Sequence, residues 1–171
     1  MLRAMATTKA AVSVEDYLAM SFDGPAPELI DGELVDRGEA MYPHAKAQSR
    51  ISAIFGRNRQ AAALFPAVAM RLQLGEDRIR IADVAVFRGA EPTELIPSQP
   101  PFLVVEVVSR DDRYVDILSK LSEYREWGVE HIWLVDPWLR RLSVFDGDLH
   151  TVPSLRIPDA GVAIPPERLF D

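Results

Sequence analysis

Two apolar stretches decide the fold of this chain: Ile79-Arg-Ile-Ala-Asp-Val-Ala-Val-Phe87 and Phe102-Leu-Val-Val-Glu-Val-Val108. Both are rich in β-branched and aromatic residues, and each has the length of one strand. The second is apolar at every position but one, which is typical of a strand covered on both faces. Each stretch nevertheless contains a carboxylate, Asp83 in the first and Glu106 in the second. Burying a carboxylate costs free energy unless it is paired or bound to a metal, so both acids are candidate functional residues.

Two acids on neighbouring strands can lower this cost together by sharing one divalent cation. Carboxylate oxygens are hard ligands that suit Mg²⁺ or Mn²⁺, so the sequence predicts a metal site at Asp83 and Glu106. The alternative is that each acid pairs with an arginine, such as Arg78 or Arg80, or lies at an exposed strand end.

A third candidate lies on the helix expected after the second stretch. Asp116, Lys120 and Tyr124 are spaced four residues apart and therefore share one face of that helix. The connection from Glu106 is short, so the first turns of the helix should pack near the end of the strand. An amine there can reach a metal-bound water or a phosphate. The alternative is an ordinary surface pair between Asp116 and Lys120.

The remaining sequence predicts one mixed α/β sheet with helices packed on it. Caps and helical spacing predict helices over residues 13–21, 44–64 and 112–127. Apolar runs predict a hairpin over 28–35 that turns at Asp31-Gly32, and further strands over 68–74, 78–87, 102–108, 131–136, 141–145 and 149–152. The proline-rich segment from Pro153 onward is expected to drape over the surface.

The chain of 171 residues has the length of one domain. We expect a flexible lead over residues 1–12 and a single domain over residues 13–171. No apolar run approaches the roughly 20 residues needed to cross a bilayer, so no membrane partner is expected. The chain has no cysteines, which excludes disulfides, thiolate nucleophiles and cysteine-based zinc sites. Together with the lack of a signal-peptide pattern, this favours the cytoplasm.

Charge is distributed unevenly along the chain. The net charge of -7 argues against simple nonspecific binding to nucleic acid, which depends on neutralising phosphates. Between Met41 and Gly75, however, there is no acidic residue, and five basic residues give this window +5 and leave -12 for the rest. Lys46, Arg50 and Arg57 are therefore candidate contacts to nucleic acid. The alternative is that these side chains pair with acidic neighbours elsewhere.

The order of several motifs resembles the PD-(D/E)XK nuclease superfamily, and more narrowly the small bacterial Uma-type family of restriction-endonuclease-like proteins. The resemblance covers roughly residues 14–145. It rests on ELIDGEL at 28–34, His44, IADVAV at 81–86, PFLVVEVVS at 101–109, DILSK at 116–120, Tyr124, GVEHIW at 128–133 and LVDP at 134–137. It implies a restriction-endonuclease-like fold, in which a mixed β-sheet is flanked by helices. It also implies a metal-dependent endonuclease that hydrolyses DNA and forms a homodimer.

Two positions depart from the superfamily pattern. Ala82 replaces the proline before the first acid, and the triplet that should end in lysine is Glu106-Val107-Val108. In the Uma-type branch the amine comes from the following helix, which points to Lys120. The resemblance then implies that Asp83 and Glu106 bind Mg²⁺ or Mn²⁺, with the backbone carbonyl of Val107 as a further ligand. Lys120 would orient or deprotonate the attacking water.

The resemblance also implies roles for residues around this core. Glu33, on the second arm of the hairpin, would supply another acidic ligand or water contact, or else face solvent. His44, at the start of a helix, would donate a hydrogen bond or contact a phosphate. Asp116 and Tyr124 would position Lys120.

Two other functions are compatible with the sequence. The acidic net charge and the missing triplet lysine fit a catalytically inactive binding or scaffold protein that keeps the nuclease fold. Paired carboxylates also occur in glycosidases, although acids on strands beside a lysine suit a phosphate better than a sugar ring.

Overall fold

The central sheet is built on the two apolar stretches. The structure is a computed structural model that describes residues 11–38, 40–57 and 62–171. Most of the lead expected over residues 1–12 therefore lies outside the described residues. The helices are α1 (Val14–Ala19), α2 (Tyr42–Arg57), α3 (Tyr114–Trp127) and α4 (Pro166–Phe170). The strands are β1 (Glu28–Ile30), β2 (Glu33–Val35), β3 (Leu64–Gly75), β4 (Arg78–Arg88), β5 (Leu103–Val107), β6 (His131–Asp136), β7 (Arg141–Phe145), β8 (Leu149–Val152), β9 (Leu155–Ile157) and β10 (Val162–Ile164).

Eight of these strands form one mixed sheet, which confirms the expected α/β class. Seven follow the order β2-β1-β4-β5-β6-β7-β8, and β3 pairs with β4 off this path. Strands β5 and β6 are parallel, and α3 is the crossover that a parallel pair needs. The other pairs in this sheet are antiparallel.

One edge of β4 is paired with β3 along the whole strand, and the neighbour at its other edge changes along its length. Near its start, Ile79 pairs with Leu29 of β1, and from Val84 onward it pairs with β5. Val84 pairs with Val105, so Asp83 and Glu106 are the next residues along their strands, just beyond the last paired position. The two acids thus lie where β4 passes from one neighbour to the other. A change of this kind leaves room for side chains to meet at the sheet.

Hydrophobic clusters cover both faces of this sheet. On one face, α2 packs through Ile51 and Phe55 onto a cluster that includes the buried Trp133. On the other face, α3 packs through Leu121 and Tyr124. The acids are therefore held between two well-packed layers.

The prediction of helix over 44–64 is wrong at its end, because β3 begins at Leu64. The second helix is described over Tyr42–Arg57, residues 58–61 lie outside the described residues, and Ala62 is helical. Leu64 and Phe65 have apolar character that suits either element, but they pair with Arg88 and Phe87 of β4. Pairing with a long neighbouring strand overrides the helical spacing of this stretch.

The segment after Pro153 does not drape over the surface, so that prediction was wrong. It forms the two-stranded sheet of β9 and β10 followed by α4. Leu155, Ile157, Ile164 and Leu169 are buried in the same cluster as Phe55. The prolines of this segment stand at the starts of short helices, where their missing N–H is tolerated.

Local signals at turns and caps are confirmed. Asp31 and Gly32 have φ values of 52° and 76°, the pair of positive angles that a tight two-residue hairpin turn requires. Ser13 caps α1 in a capping box with Asp16, and Gly128 ends α3 with a φ of 107°. In the described part of the chain, no helix is long and apolar enough to cross a membrane.

Candidate active site

Asp83 is buried, with 3% of its surface exposed, and its carboxylate accepts three hydrogen bonds. Arg37 donates to Oδ1 at 2.8 Å, and the backbone N–H of Val107 donates to Oδ2 at 2.8 Å. His44 Nε2 lies 3.1 Å from Oδ2. One turn further along α2, Gln48 donates to the carbonyl oxygen of Asp83 at 2.7 Å. The acid is therefore fixed by α2, β5 and the loop after β2.

Glu106 is held by the other helix. Lys120 Nζ donates to its Oε2 and the hydroxyl of Tyr124 donates to its Oε1, both at 2.9 Å. The two donors are one turn apart on α3, so the expected helix face does reach the strand end. Tyr124 thus positions Glu106 by a direct hydrogen bond, whereas the sequence had suggested a role in positioning Lys120.

The ammonium group of Lys120 has three acceptors. It donates to the carbonyl oxygen of Ile81 and to the carboxylate of Glu106, and it forms an ion pair with Glu28, each at 2.9 Å. A lysine ammonium has three protons to donate, so these contacts use all of them. Lys120 is therefore a fixed positive charge between two acids.

Glu28 is a site residue that the sequence reasoning missed. Its Oε1 accepts from the backbone N–H of Ile81 at 2.9 Å, and its Oε2 accepts from Arg80 at 2.7 Å. Arg80 is itself buried and also donates twice to Glu123 of α3. Because Glu28 is the second acid on Lys120, the site contains three buried carboxylates.

A cavity of about 660 Å³ opens onto these groups. Its walls carry nine carboxylates and five lysine or arginine side chains, in addition to His44. The acids outnumber the cations, so the walls of the cavity disfavour a polyanion such as a phosphodiester chain. Added positive charge would reduce this repulsion.

Burial and neighbouring charge shift the pKa values of the two strand acids in opposite directions. Burial raises the pKa of Glu106 to about 7; Lys120 opposes this shift, and the nearby charges of Asp83 and Glu28 add to it. Burial also disfavours the charged form of Asp83, but the hydrogen bond and charge of His44, with Lys120 and Arg37, hold its pKa below the usual range. Asp83 is therefore ionised at neutral pH, whereas Glu106 gains or loses its proton near pH 7.

The basic groups of the site keep their protons more firmly than usual. Burial disfavours the charged form of Lys120, but Glu106, Glu28 and Asp83 raise its pKa above the ordinary value. Burial likewise opposes charge on His44, but the bond to Asp83 raises its pKa. Lys120 is thus an ammonium at neutral pH. With its three protons already bonded, it acts here as a fixed positive charge that stabilises nearby negative charge, and it has no free lone pair with which to deprotonate water.

The structure brings together most of the residues predicted from the sequence. Asp83, Glu106, Lys120, His44, Val107 and Tyr124 meet at the cavity. Glu33 does not: it is exposed on β2 and does not line the cavity. Asp116 lies at the cavity wall with its side chain largely exposed, 3.8 Å from Arg113; in the part of the chain that the structure describes, it is not hydrogen-bonded to Lys120.

The basic residues of α2 turn away from the cavity. Lys46 donates to the carbonyl oxygens of Phe170 and Asp171 at 3.0 Å, and Arg50 donates to those of Leu169 and Asp171 at 3.0 and 2.7 Å. Cations at the C-terminal end of a helix satisfy its last carbonyls, so these two residues anchor α4. Arg57, the last residue of α2, is exposed and does not line the cavity.

The acids at the cavity fit a divalent cation by their chemistry. Oxygen donors suit Mg²⁺ and Mn²⁺, and Asp83, Glu106 and Glu28 place three buried carboxylates at or beside the cavity. Among residues 11–38, 40–57 and 62–171, no group of three or more His, Cys, Asp or Glu side chains is arranged to hold an ion alone. Mg²⁺ is usually bound through one or two carboxylates and keeps several waters. Asp83 and Glu106 supply two carboxylates at the cavity.

Comparison with known proteins assigns the family. The Uma2 family model, described as "Putative restriction endonuclease", matches residues 14–171. The chain belongs to the Uma2 family. This match confirms the family resemblance that the sequence motifs indicated over roughly residues 14–145, and it extends the resemblance to residue 171.

A solved structure shares the Uma2 fold seen here. It is described as a "putative nuclease belonging to DUF820" from Anabaena variabilis ATCC 29413. The two proteins are 18% identical, the match covers 93% of this chain and 97% of that one, and the TM-score is 0.81. The restriction-endonuclease-like mixed sheet flanked by helices is thereby confirmed. No curated protein matches the chain.

Proposed function

We propose that this Uma2 protein is a metal-dependent endonuclease that hydrolyses phosphodiester bonds of DNA. The observation that carries the proposal is the convergence of Asp83 and Glu106 on one cavity, with Lys120 bonded to Glu106 at 2.9 Å. Asp83, Glu106 and the carbonyl of Val107 would hold Mg²⁺ or Mn²⁺. The ion would act there as a Lewis acid at the phosphate.

The residues of the chain have separate parts in this proposal. Lys120, fixed as an ammonium, stabilises negative charge on the phosphate as the bond to the leaving oxygen breaks. Glu28 and Glu106 keep that ammonium protonated and in place. His44 holds the carboxylate of Asp83 from α2. The acidic cavity makes substrate binding depend on the added cation, since the walls alone repel phosphate.

Cleavage of supercoiled plasmid DNA tests the proposal. The native chain is expected to nick or linearise the plasmid with Mg²⁺ or Mn²⁺, to stop when a chelator is added, and to lose this activity as Glu106→Ala. Indistinguishable and metal-independent behaviour of the two proteins would end the proposal.

Glu28 and Glu33 can be compared directly, because both lie on the same hairpin. Removing a group that orients the metal site or its lysine costs about 10–100-fold. We expect Glu28→Gln to slow plasmid cleavage by that factor. Glu33→Gln should stay within about twofold of wild type by the same measure, because its side chain is exposed on β2 and off the cavity. A larger loss for Glu33→Gln would restore the role that the sequence suggested for it.

A second candidate function is a catalytically inactive binding or scaffold protein with the same fold. One observation favours it: both carboxylate oxygens of Asp83 and both of Glu106 already accept a hydrogen bond from the protein. Titration with Mn²⁺ by calorimetry separates the two. An intact fold with no heat of binding at millimolar Mn²⁺ would favour the scaffold.

The proposed function also includes an assembly of two copies of the chain. A homodimer is expected by analogy with related nucleases, and Trp138 and Leu139 give the turn between β6 and β7 an exposed apolar surface. Phe170 contributes little to such a surface, because it is half-buried and its ring lies under Arg140. Sedimentation velocity should give twice the chain mass, and a single-chain mass at high protein concentration would exclude the dimer.

The cytoplasm is the proposed location, to be tested by cell fractionation.

A further inference from the structure

Arg37 is a cation that already faces the acids of the site. It lies in the loop after β2, and its guanidinium donates to Oδ1 of Asp83 at 2.8 Å. The charges of Asp83, Glu106 and Glu28 together raise its pKa against the effect of burial. Its positive charge therefore sits among the same three acids that would attract a metal.

The two oxygens of Asp83 are held in different ways. Oδ2 is bonded by His44 of α2 and by the backbone N–H of Val107, both parts of regular elements. Oδ1 is bonded by Arg37, which lies on an irregular loop and has a long side chain that is 26% exposed. The N–H of Val107 cannot leave without opening β5, and the ring of His44 is buried, whereas the partly exposed side chain of Arg37 can turn toward solvent by rotating.

A guanidinium and a divalent cation cannot share Oδ1 at close range, because two positive charges repel strongly in a partly buried site. The same repulsion applies across the short space between Asp83 and Glu106. Binding of a metal at Asp83 therefore requires Arg37 to move away. Lys120 differs from Arg37, since it is also bonded to Glu28 and to the carbonyl oxygen of Ile81, which are not proposed to hold the metal.

We infer that Arg37 is an internal counter-cation, which neutralises Asp83 in the metal-free protein and is displaced when a divalent cation binds. This rests on the proposed metal-dependent function and adds a competitor to it. Arg37 is a positioning residue for the metal site, and it weakens metal binding by the strength of one charge-assisted hydrogen bond. Bonds of that class correspond to about ten- to hundredfold in an equilibrium constant.

Calorimetric titration of the full chain with MnCl₂ at pH 7.5 tests the inference. Arg37→Ala is expected to bind Mn²⁺ about ten- to hundredfold more tightly than wild type. Arg113→Ala is the matched control, because Arg113 also lines the cavity but its guanidinium lies 3.8 Å from Asp116, a largely exposed acid outside the proposed metal site. The control should change the dissociation constant by no more than about threefold, which reflects screened charge alone.

Equal Mn²⁺ affinity in wild type and Arg37→Ala would overturn the inference and leave the proposed function standing. Equal tightening in Arg37→Ala and Arg113→Ala would also overturn it, since general charge would then explain both. Failure of all three proteins to bind Mn²⁺ would overturn it together with the metal dependence. Should Arg37→Ala not fold without metal, Arg37→Gln replaces it, and saturating Mn²⁺ should raise its Tm by more than it raises that of wild type.

Discussion

Glu106→Gln is expected to reduce metal-dependent DNA cleavage by about 10³-fold or more while leaving the protein folded. Loss of a metal ligand removes several kcal/mol of transition-state stabilisation, and each 1.36 kcal/mol is a factor of ten in rate. Glutamine keeps the shape of the side chain, and Lys120 retains Glu28 as its partner. Initial rates of plasmid nicking check the effect. Glu94→Gln is the control, because Glu94 lies on an exposed loop that does not line the cavity and accepts a hydrogen bond from the backbone N–H of Ser98.

Glu106→Gln should also alter how the free energy of unfolding depends on pH. The pKa of Glu106 is about 7 in the folded protein, above its ordinary value of 4.5. Between these pH values the folded protein holds a proton that the unfolded chain has lost, so its free energy of unfolding falls as the pH rises through this window. The full effect is on the order of 3 kcal/mol. Urea unfolding at pH 5 and pH 8 should show this fall in wild type and in Glu94→Gln, and less of it in Glu106→Gln. Parallel pH profiles would contradict the burial argument.

Lys120→Met is expected to cost both stability and activity. It leaves two buried acids, Glu28 and Glu106, without their shared cation. Removing one partner of a buried ion pair typically costs about 3–5 kcal/mol, and losing one fixed charge that stabilises the transition state costs about 10²–10³ in rate. The loss of stability should be larger at pH 8 than at pH 5, because Glu106 can become neutral at the lower pH.

Lys46→Met is the matched control for the stability measurement. Lys46 also donates two hydrogen bonds, but to the carbonyls at the end of α4 near the surface. Its replacement should cost about 1 kcal/mol, with little difference between pH 5 and pH 8. If urea unfolding gave equal losses for the two lysines, Lys120 would not be the centre of a buried charge cluster.

Much of the fold and the core of the site could be predicted because the signals are local. Apolar runs mark β4 and β5, and the single acids within them stand out against that background. Helical spacing places Lys120 and Tyr124 on one face of α3, which packs beside the end of β5. The turn at Asp31-Gly32 is likewise set by the φ angles that two adjacent residues can adopt.

The remaining features depend on contacts between distant parts of the chain. Glu28 and Glu33 both lie on a short hairpin, and only the pairing of β1 with β4 decides that Glu28 is the buried one. Lys46 and Arg50 form a basic pattern, but the carbonyls they bind come from the last residues of the chain. The tail itself is rich in proline, and its buried positions follow from packing against α2. Such contacts are invisible to composition and periodicity.

The location of a bound metal ion tests the central claim most directly. Crystals of the full chain grown or soaked with MnCl₂ would reveal manganese by its anomalous scattering. We predict one ion bonded to carboxylate oxygens of both Asp83 and Glu106, at about 2–2.6 Å, with the guanidinium of Arg37 moved off Asp83. Manganese bound to only one of these acids or elsewhere on the protein, or no ion at saturating MnCl₂, would contradict a shared metal site and the hydrolytic function built on it.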